Sequence, residues 1–410
     1  MKIIILGAGY GGLQAARVLA NAGHQVLLFE RNKRENIGYH WPMDVLPSVF
    51  EEVNLPLPEG TVRCPATEFH ISTSALTRTI DSPEKDRRFH VDGRALSQEL
   101  IELAEQAGAE LRFECAVSEL LTRDGKVYGV YLNGFPLEAD LVIDSIGIQP
   151  KEETSIKIRP MQSYLTVALP KKEGHYPEKK VFALNPLGQP GIAEFYQNRD
   201  GKVLILVGRF QPCSAEQLKI DLSKIRPGIS LLEGKSIQDG TCLSMSVRSP
   251  SLKMVSPGFA AIDKSNFVSD ALFSGQTLAE TIIGSGVSME SLWSYQVRYY
   301  KKIVADAFYF QELKWSLINT DGKQLAGAFE DNLLTDSMLL FIAAKTRLAP
   351  NENNLLAPFR KCLKRPLFSA ALAKANAKGQ SIQNLAENIP EKYDPESIAK
   401  WNEEMKKATS

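Results

Sequence analysis

The sequence predicts an α/β protein in which a parallel-sheet domain is interrupted by an antiparallel sheet and followed by a helical C-terminal region. Three observations carry that expectation. The opening stretch KIIILGAGYGGLQAARVLANAGHQVLLFERN passes from an apolar run through clustered glycines and helical spacing to a second apolar run. Segments within about 160–245, such as SYLTVALP, KVFALN, GIAEFYQN and KVLILVGRF, alternate with the period of half-buried strands. Beyond residue 290, MESLWSYQVRYYKKIVADAFYFQELKWSLI places aromatics at three- and four-residue intervals, as a helix core requires.

The first element is a buried strand over residues 2–6, followed by Gly7, Gly9 and Gly12 at the Gly-x-Gly-x-x-Gly spacing, with Gly11 inside the same turn, and by a helix over 13–22. The first glycine permits the sharp turn. The second lets a pyrophosphate approach bare backbone, and the third lets helix and strand pack closely. The phosphates then face the helix N-terminus, where unpaired N–H groups and the helix dipole favour negative charge. A second strand over 25–29 ends on Glu30, eighteen residues past Gly12, where a carboxylate either accepts hydrogen bonds from a ribose diol or ends a strand in solvent; Arg31 follows it. Strand, turn, helix and terminal acid together point to a Rossmann-like dinucleotide site rather than to a tight turn in some other α/β protein.

The next loop, GYHWPMDVLPSVFEEVNLPLP, gathers His40, Trp41, Pro42 and Asp44 and reads either as a surface loop anchored by Trp41 or as one boundary of a substrate pocket. Arg94 stands just before a helix over 96–107, which is followed by a turn at Gly108 and a strand. GKVYGVYLNG predicts a hairpin about Asn133-Gly134. ADLVIDSIGIQP is an apolar strand running into Asp144 and Gly147 at the edge where a ligand crevice is expected.

Lysine plus arginine equals aspartate plus glutamate at 48 each, so no global field points to nucleic acid. The five cysteines, Cys64, Cys115, Cys213, Cys242 and Cys362, lack the spacing of a disulfide framework or a zinc site, and no metal is expected. A strand at the second residue leaves no room for a secretory leader, and no apolar run approaches the roughly 18 residues of a membrane span. A cytoplasmic protein is expected. Residues 345–378 carry eight lysines or arginines against one glutamate, interleaved with leucine and phenylalanine. They read as a solvated basic face or as a peripheral contact with anionic lipid.

Three segments in this order, GAGYGGLQAARVLANAGHQVLLFER, DGRALSQELIELAEQAGAEL and ADLVIDSIG, resemble the flavoprotein oxidoreductases of the geranylgeranyl reductase and aromatic-hydroxylase type. The resemblance implies FAD as cofactor, NAD(P)H as an electron donor, and Arg94 in the place of an FAD-contacting arginine. In SPGFAAIDKSNFVSDALFSGQTLAETI the likeness keeps Gly258, Ala260 and Ala261 but sets Phe259 where the family has the aspartate that holds the ribityl chain. On that alignment either Asp263 or Ser265 takes the role, or flavin is held loosely or lost; Asp263 also reads as an ordinary turn residue, and the loop under the flavin ring is about four residues short.

The expected domains are a discontinuous FAD-binding unit of 1–155 and 246–290, a substrate-binding sheet of 160–245 with 55–88 added to it, and a helical region of 291–410. The expected cofactor residues are Gly7, Gly9, Gly11, Gly12, Glu30, Arg31, Arg94, Asp144, Gly147, Gly258 and Asp263; no catalytic residue is assigned. The resemblance implies a reductase of an apolar small molecule, isoprenoid in type. Its alternatives are an aromatic-hydroxylase-type monooxygenase and a binding protein whose flavin site has degenerated.

Overall fold

Four side chains of the first strand, Ile3, Ile4, Ile5 and Leu6, are fully buried because both faces of the sheet it centres are covered. The structure is a computed structural model and describes residues 1–38, 41–82, 87–146, 158–248, 251–262, 268–343 and 364–409. That first strand, β1 (Lys2–Leu6), is joined by β2 (Gln25–Phe29), β3 (Glu110–Arg112), β4 (Leu141–Asp144), β5 (Val255–Ser256) and β6 (Phe259–Ala261) in the order β5–β6–β4–β1–β2–β3. All pairings are parallel except the short β5–β6 hairpin.

The register fixes where a ligand can enter. Leu6 stands opposite both Phe29 and Asp144, and Asp144 stands opposite Ala261. The carboxyl ends of four neighbouring strands therefore meet on one edge, the edge at which open α/β sheets bind their ligands.

Ile3 and Ile5 face α1 (Tyr10–Asn21), α2 (Gly93–Gln106) and α3 (Val268–Ser285), with α1 packed between the other two. Ile4 and Leu6 face the other way, into a cluster with Val127 and Val130 of an antiparallel meander, Val117–Arg123, Lys126–Leu132 and Phe135–Glu138. Asn133 and Gly134 both take positive φ, 51° and 83°, which turns the meander's second hairpin tightly.

The second large sheet has eight strands: Thr67–Ile71, Thr77–Ile80, Ile158–Leu169, Lys179–Leu184, Gly191–Gln197, Val203–Arg209, Ser236–Ile237 and Thr241–Arg248. Strand Thr67–Ile71 lies parallel to Lys179–Leu184 and pairs antiparallel with Thr77–Ile80. Side chains alternate between its faces. Val181 and Ala183 pack with Leu218 and Leu222 of helix Ala215–Ile225, while Phe182 and Leu184 pack with helices Ala305–Ile318, Gly322–Glu330 and Asp336–Ala343.

A small three-stranded sheet bridges the two layers. Its central strand, Phe89–Asp92, pairs with Pro42–Val45 and Val62–Arg63 and leads straight into α2. The stretch that reads as a proline-broken loop is thus a strand from Pro42, because a partner 47 positions downstream in sequence completes its ladder, a non-local pairing that composition does not reveal. His40 lies outside the described residues.

Helix Pro366–Glu387 packs on helix Ala305–Ile318, burying Phe368, Leu372, Gly379, Ile382 and Ala386. Among the described residues, no helix is long and apolar enough to cross a membrane.

Candidate active site

The glycine turn sits where β1 ends. Gly7 takes φ +95° and donates its N–H to Phe29 O at 2.8 Å, and a Cβ there would lie 2.1 Å from Ile146 Cγ2. A Cβ on Gly12 would lie 2.5 Å from the Gly7 carbonyl oxygen, so the close helix–strand approach excludes any side chain. Gly9 is the N-cap of α1; it makes no side-chain capping bond, and the first turn carries no acid. Bare backbone at a helix N-terminus is what a pyrophosphate needs.

Gly11 has a different reason to be glycine. A Cβ there would lie 2.4 Å from Ala271 O of α3, and a Cβ on Gly275 would lie 2.1 Å from Gly11 O. Its lack of a side chain lets α1 cross α3.

Glu30 is buried just past β2. Its Oε2 accepts from the Ala8 N–H at 2.9 Å, and its Oε1 accepts from the Asn32 N–H and Nδ2 at 2.8 Å each. The carboxylate is fixed beside the glycine turn, while Arg31 points into solvent. In the first turn of α2, Asp92 Oδ1 accepts from the N–H groups of Arg94 and Ala95, and the Tyr10 hydroxyl donates to Gly93 O at 3.0 Å. These bonds bring the start of α2 to the start of α1. Arg94 donates from Nη2 to Glu35 O, yet its Nε is buried with no hydrogen-bond partner among the described residues. Asp144 is fully buried at the end of β4 and accepts from the Ile146 N–H at 2.8 Å.

Two further assignments move. Gly258 takes φ +72° in the β5–β6 turn, and a Cβ there would lie 1.9 Å from Val127 O. It serves a contact with the meander at the amino end of β6, away from the ligand edge. Phe259 stands opposite Val142 in β6 and is 3% exposed in the cluster of Ile4, Leu6 and Val130. It is a core residue inside a strand and does not occupy the position of a ribityl-holding group, which must lie past the strand's carboxyl end. In sequence, Asp263 comes two residues after that end. Gly147 and Asp263 lie outside the described residues.

A second cluster, which the sequence does not announce, lies where the bridging sheet meets the eight-stranded one. Asp44 and His90 are opposite each other in adjacent strands, and Asp44 Oδ1 lies 2.7 Å from His90 Nδ1. Lys180 reaches across from the large sheet and donates to Asp44 Oδ2. All three side chains are at most 6% exposed. Burial alone would raise the Asp44 carboxyl, but the Lys180 ammonium and the His90 bond hold it well below the usual carboxylate range. Burial and the adjacent Asp44 charge push the Cys64 thiol up to about 12, so it is inert. Asp44, Cys64 and His90 present ligand-type atoms within 4.8 Å of one another, and the Lys180 ammonium already supplies the positive charge that group calls for. His90 Nε2 is buried with no hydrogen-bond partner among the described residues, and the His90 ring lies 3.9 Å from that of Tyr196. A cavity of about 10 Å³, room for one water, opens there between Trp41, His90, Lys180, Glu194 and Tyr196.

Lys180, Glu194 and Tyr196 share the sheet face that meets helix Ala305–Ile318. Lys314 of that helix is pushed down to about 8, first by burial and then by the Arg88 charge, with Glu194 and Asp270 acting in the opposite sense. Asp270 is fully buried in the first turn of α3, the helix that follows β6. Electrostatic coupling therefore links the ligand edge of the parallel sheet to the charged face of the antiparallel one.

Residues 5–56 match the NAD(P)-binding Rossmann-like domain, and residues 85–229 match the family of FAD-dependent oxidoreductases. The second match is to FAD-dependent oxidoreductases over that segment alone. FAD is their cofactor, and the side-chain-free cradle at Gly9 and Gly12, the fixed Glu30 carboxylate and the unpartnered Arg94 Nε suit it. Protein FixC of Escherichia coli O157:H7 is 32% identical over 157 residues, which is 35% of this chain and 36% of that one. The digeranylgeranylglycerophospholipid reductase of Haloferax volcanii is 31% identical over 156 residues, 35% of each chain. Each match spans little more than a third of the relative's length. A geranylgeranyl bacteriochlorophyll reductase-like protein from Thermoplasma acidophilum superposes with a TM-score of 0.61 at 13% identity, over 98% of this chain and 95% of that one, which establishes a shared fold.

Proposed function

We propose that this FAD-dependent oxidoreductase is a reductase of an apolar, isoprenoid-type small molecule. The observation that carries the proposal is the dinucleotide cradle at the carboxyl ends of the parallel strands, where Gly9 and Gly12 leave bare backbone beside the fixed Glu30 carboxylate. The likeness to a lipid reductase over about a third of the chain supports the substrate class. FAD when bound supplies hydride chemistry. The chain's part is to hold it: Gly9 and Gly12 with the N-terminus of α1 for the pyrophosphate, Glu30 for the ribose, and Arg94 through its Nε. Asp144 shapes the strand end, and Gly147 and Asp263 belong to the ring and ribityl side. NAD(P)H is the electron donor in this reading.

A cytoplasmic protein with peripheral membrane contact through 345–378 completes the proposal. Residues 344–363 lie outside the described residues, and helix Pro366–Glu387 turns Phe368 and Leu372 inward, leaving Leu367 exposed beside basic side chains. Contact through this face is then electrostatic, and salt should release it.

The test is in two steps. The protein purified without added cofactor should release FAD on denaturation and show flavin absorption. Anaerobic incubation of the reduced protein with a geranylgeranyl lipid should then add two hydrogen atoms per double bond, read by mass spectrometry. Flavin that turns over only with oxygen and an aromatic substrate would establish the hydroxylase alternative, and no retained flavin would establish the binding protein.

A further inference from the structure

A dinucleotide laid across the carboxyl ends of parallel strands has a direction, and the strand order gives it. With the ribose on Glu30 at the end of β2 and the pyrophosphate on the glycine turn after β1, the flavin half runs the other way, over β4 and β6. Neighbouring strands lie about 4.8 Å apart, which puts the end of β6 about 10 Å from that of β1, within reach of a ribityl chain. We infer that Tyr295 is a positioning residue for the flavin half of FAD, holding the carboxyl end of β6 against α3 through its hydroxyl. This deepens the FAD reading and rests on it.

Ala261 closes β6, opposite Asp144 of β4. Its N–H donates to Met254 O at 2.7 Å, and the next N–H, of Ile262, donates to Asp144 O at 2.8 Å. The Ala261 carbonyl accepts from the Tyr295 hydroxyl at 2.8 Å. Tyr295 lies in helix Met289–Tyr299 and has one hydroxyl proton to give. A carbonyl can only accept, so that proton goes to Ala261; in the 2.7 Å contact between the Tyr295 and Ser274 hydroxyls, Ser274 is then the donor. Ser274 is fully buried in α3. One oxygen atom therefore ties the last residue of β6 to the helix that comes after it, and residues 263–267 between them lie outside the described residues.

The ring does not need its hydroxyl to pack. Tyr295 is fully buried in the main core cluster, stacked on Tyr299 with centroids 6.2 Å apart, and a phenylalanine would fill the same space. The same helix secures the chain entering β5 independently, because Gln296 accepts from the Met254 N–H at 3.0 Å and donates to Leu252 O at 2.9 Å. Loss of the Tyr295 hydroxyl thus frees the end of β6 while the hairpin stays seated. The glycine turn and Glu30 lie on β1 and β2 and keep their own bonds.

The test uses the full chain stripped of bound nucleotide and titrated with FAD and, separately, with ADP, which reaches only the half of the site made by Glu30 and the glycine turn. Tyr295→Phe should weaken FAD binding about tenfold or more while ADP binding stays within about threefold of wild type, and the visible circular dichroism of the bound flavin should change. Equal weakening of both ligands would make the hydroxyl a support of the whole fold and overturn the inference, as would unchanged binding of both. Should Tyr295→Phe not fold, Ser274→Ala decides with the same two ligands: weakening of FAD alone supports the inference, and any other result overturns it. A wild type that binds ADP and gains no affinity from the flavin half overturns the FAD reading itself, a result distinct from failure of the variants.

Discussion

Asp44 and His90 stand opposite each other in paired strands with Oδ1 and Nδ1 2.7 Å apart, and the second Asp44 oxygen binds Lys180 from another sheet. One carboxylate thus joins two layers of the protein. Asp44→Asn leaves the Lys180 ammonium buried beside a neutral amide, and the expected cost is about 3–5 kcal/mol of unfolding free energy. Lys180→Met in the same chain removes the stranded charge, so the double variant should recover a large part of that loss. Denaturant titration of the two single variants and the double one measures the coupling; additive losses would remove the pair from the account.

The glycines separate by the same kind of test. Gly11→Ala drives a Cβ to within 2.4 Å of Ala271 O and should cost roughly 1–3 kcal/mol of stability through the α1–α3 crossing. Gly9→Ala meets only Ser145 Oγ at 3.0 Å and Ser145 O at 3.8 Å, and should change stability by less than about 0.5 kcal/mol. FAD affinity should fall about tenfold or more in the Gly9 variant, since the added methyl faces the phosphate approach. Thermal melts and FAD titration of the two proteins check the division.

Glu30 has two functions to lose. Glu30→Ala removes the acceptor for the Ala8 and Asn32 N–H groups as well as the proposed ribose contact, so FAD binding should weaken by about 1–3 kcal/mol. Glu30→Gln keeps one acceptor oxygen and should weaken it less. Equal affinities for wild type and both variants would make Glu30 structural only.

What the sequence made legible was local. Gly7, Gly9, Gly12 and Glu30 fall within one strand–helix–strand unit, where spacing alone decides geometry. The His90 cluster was illegible because residues 44, 64 and 90 meet through non-local strand pairings and Lys180 reaches them from another sheet, which no periodicity encodes. One signal was present: Lys180 sits at an inward position of an otherwise apolar alternating strand, KKVFAL, where a lysine stays only with a buried partner. At Gly11 and Gly258 the sequence could not show the steric demand, because a glycine needed for helix crossing or for a turn reads the same as one that faces a phosphate.

Lys314 predicts a pH dependence. Its folded-state value of about 8 lies below the ordinary 10.5, so between these values the unfolded chain binds more protons and stability rises with pH. Below about pH 8 the charged form lowers stability relative to the neutral amine. Cys64, raised from 9 to about 12, acts in the opposite sense above pH 9, so the wild-type curve alone is ambiguous. The difference between wild type and Lys314→Met isolates the lysine: the variant should be the more stable at pH 7, and the gap should close between pH 8 and 10.5. A gap independent of pH would show that Lys314 keeps its ordinary value.

Phe259 decides how the ring-side segment is aligned. Matching letters sets it in the place of a ribityl-binding aspartate, and on that alignment Phe259→Asp would raise FAD affinity. The strand register says otherwise: Phe259 is 3% exposed, opposite Val142, with its side chain among Ile4, Leu6 and Val130. Phe259→Asp therefore removes a core aromatic and buries an unpaired carboxylate, and should cost at least the roughly 3–5 kcal/mol of a buried Phe→Ala change. FAD affinity, measured where the variant is still folded, should not improve. Asp263→Ala should lower it with little effect on stability, because Asp263 follows the carboxyl end of β6 by two residues, where the parallel strands place their ligand. A Phe259→Asp protein that binds FAD more tightly at unchanged stability would restore the alignment by letters and remove Asp263 from the site.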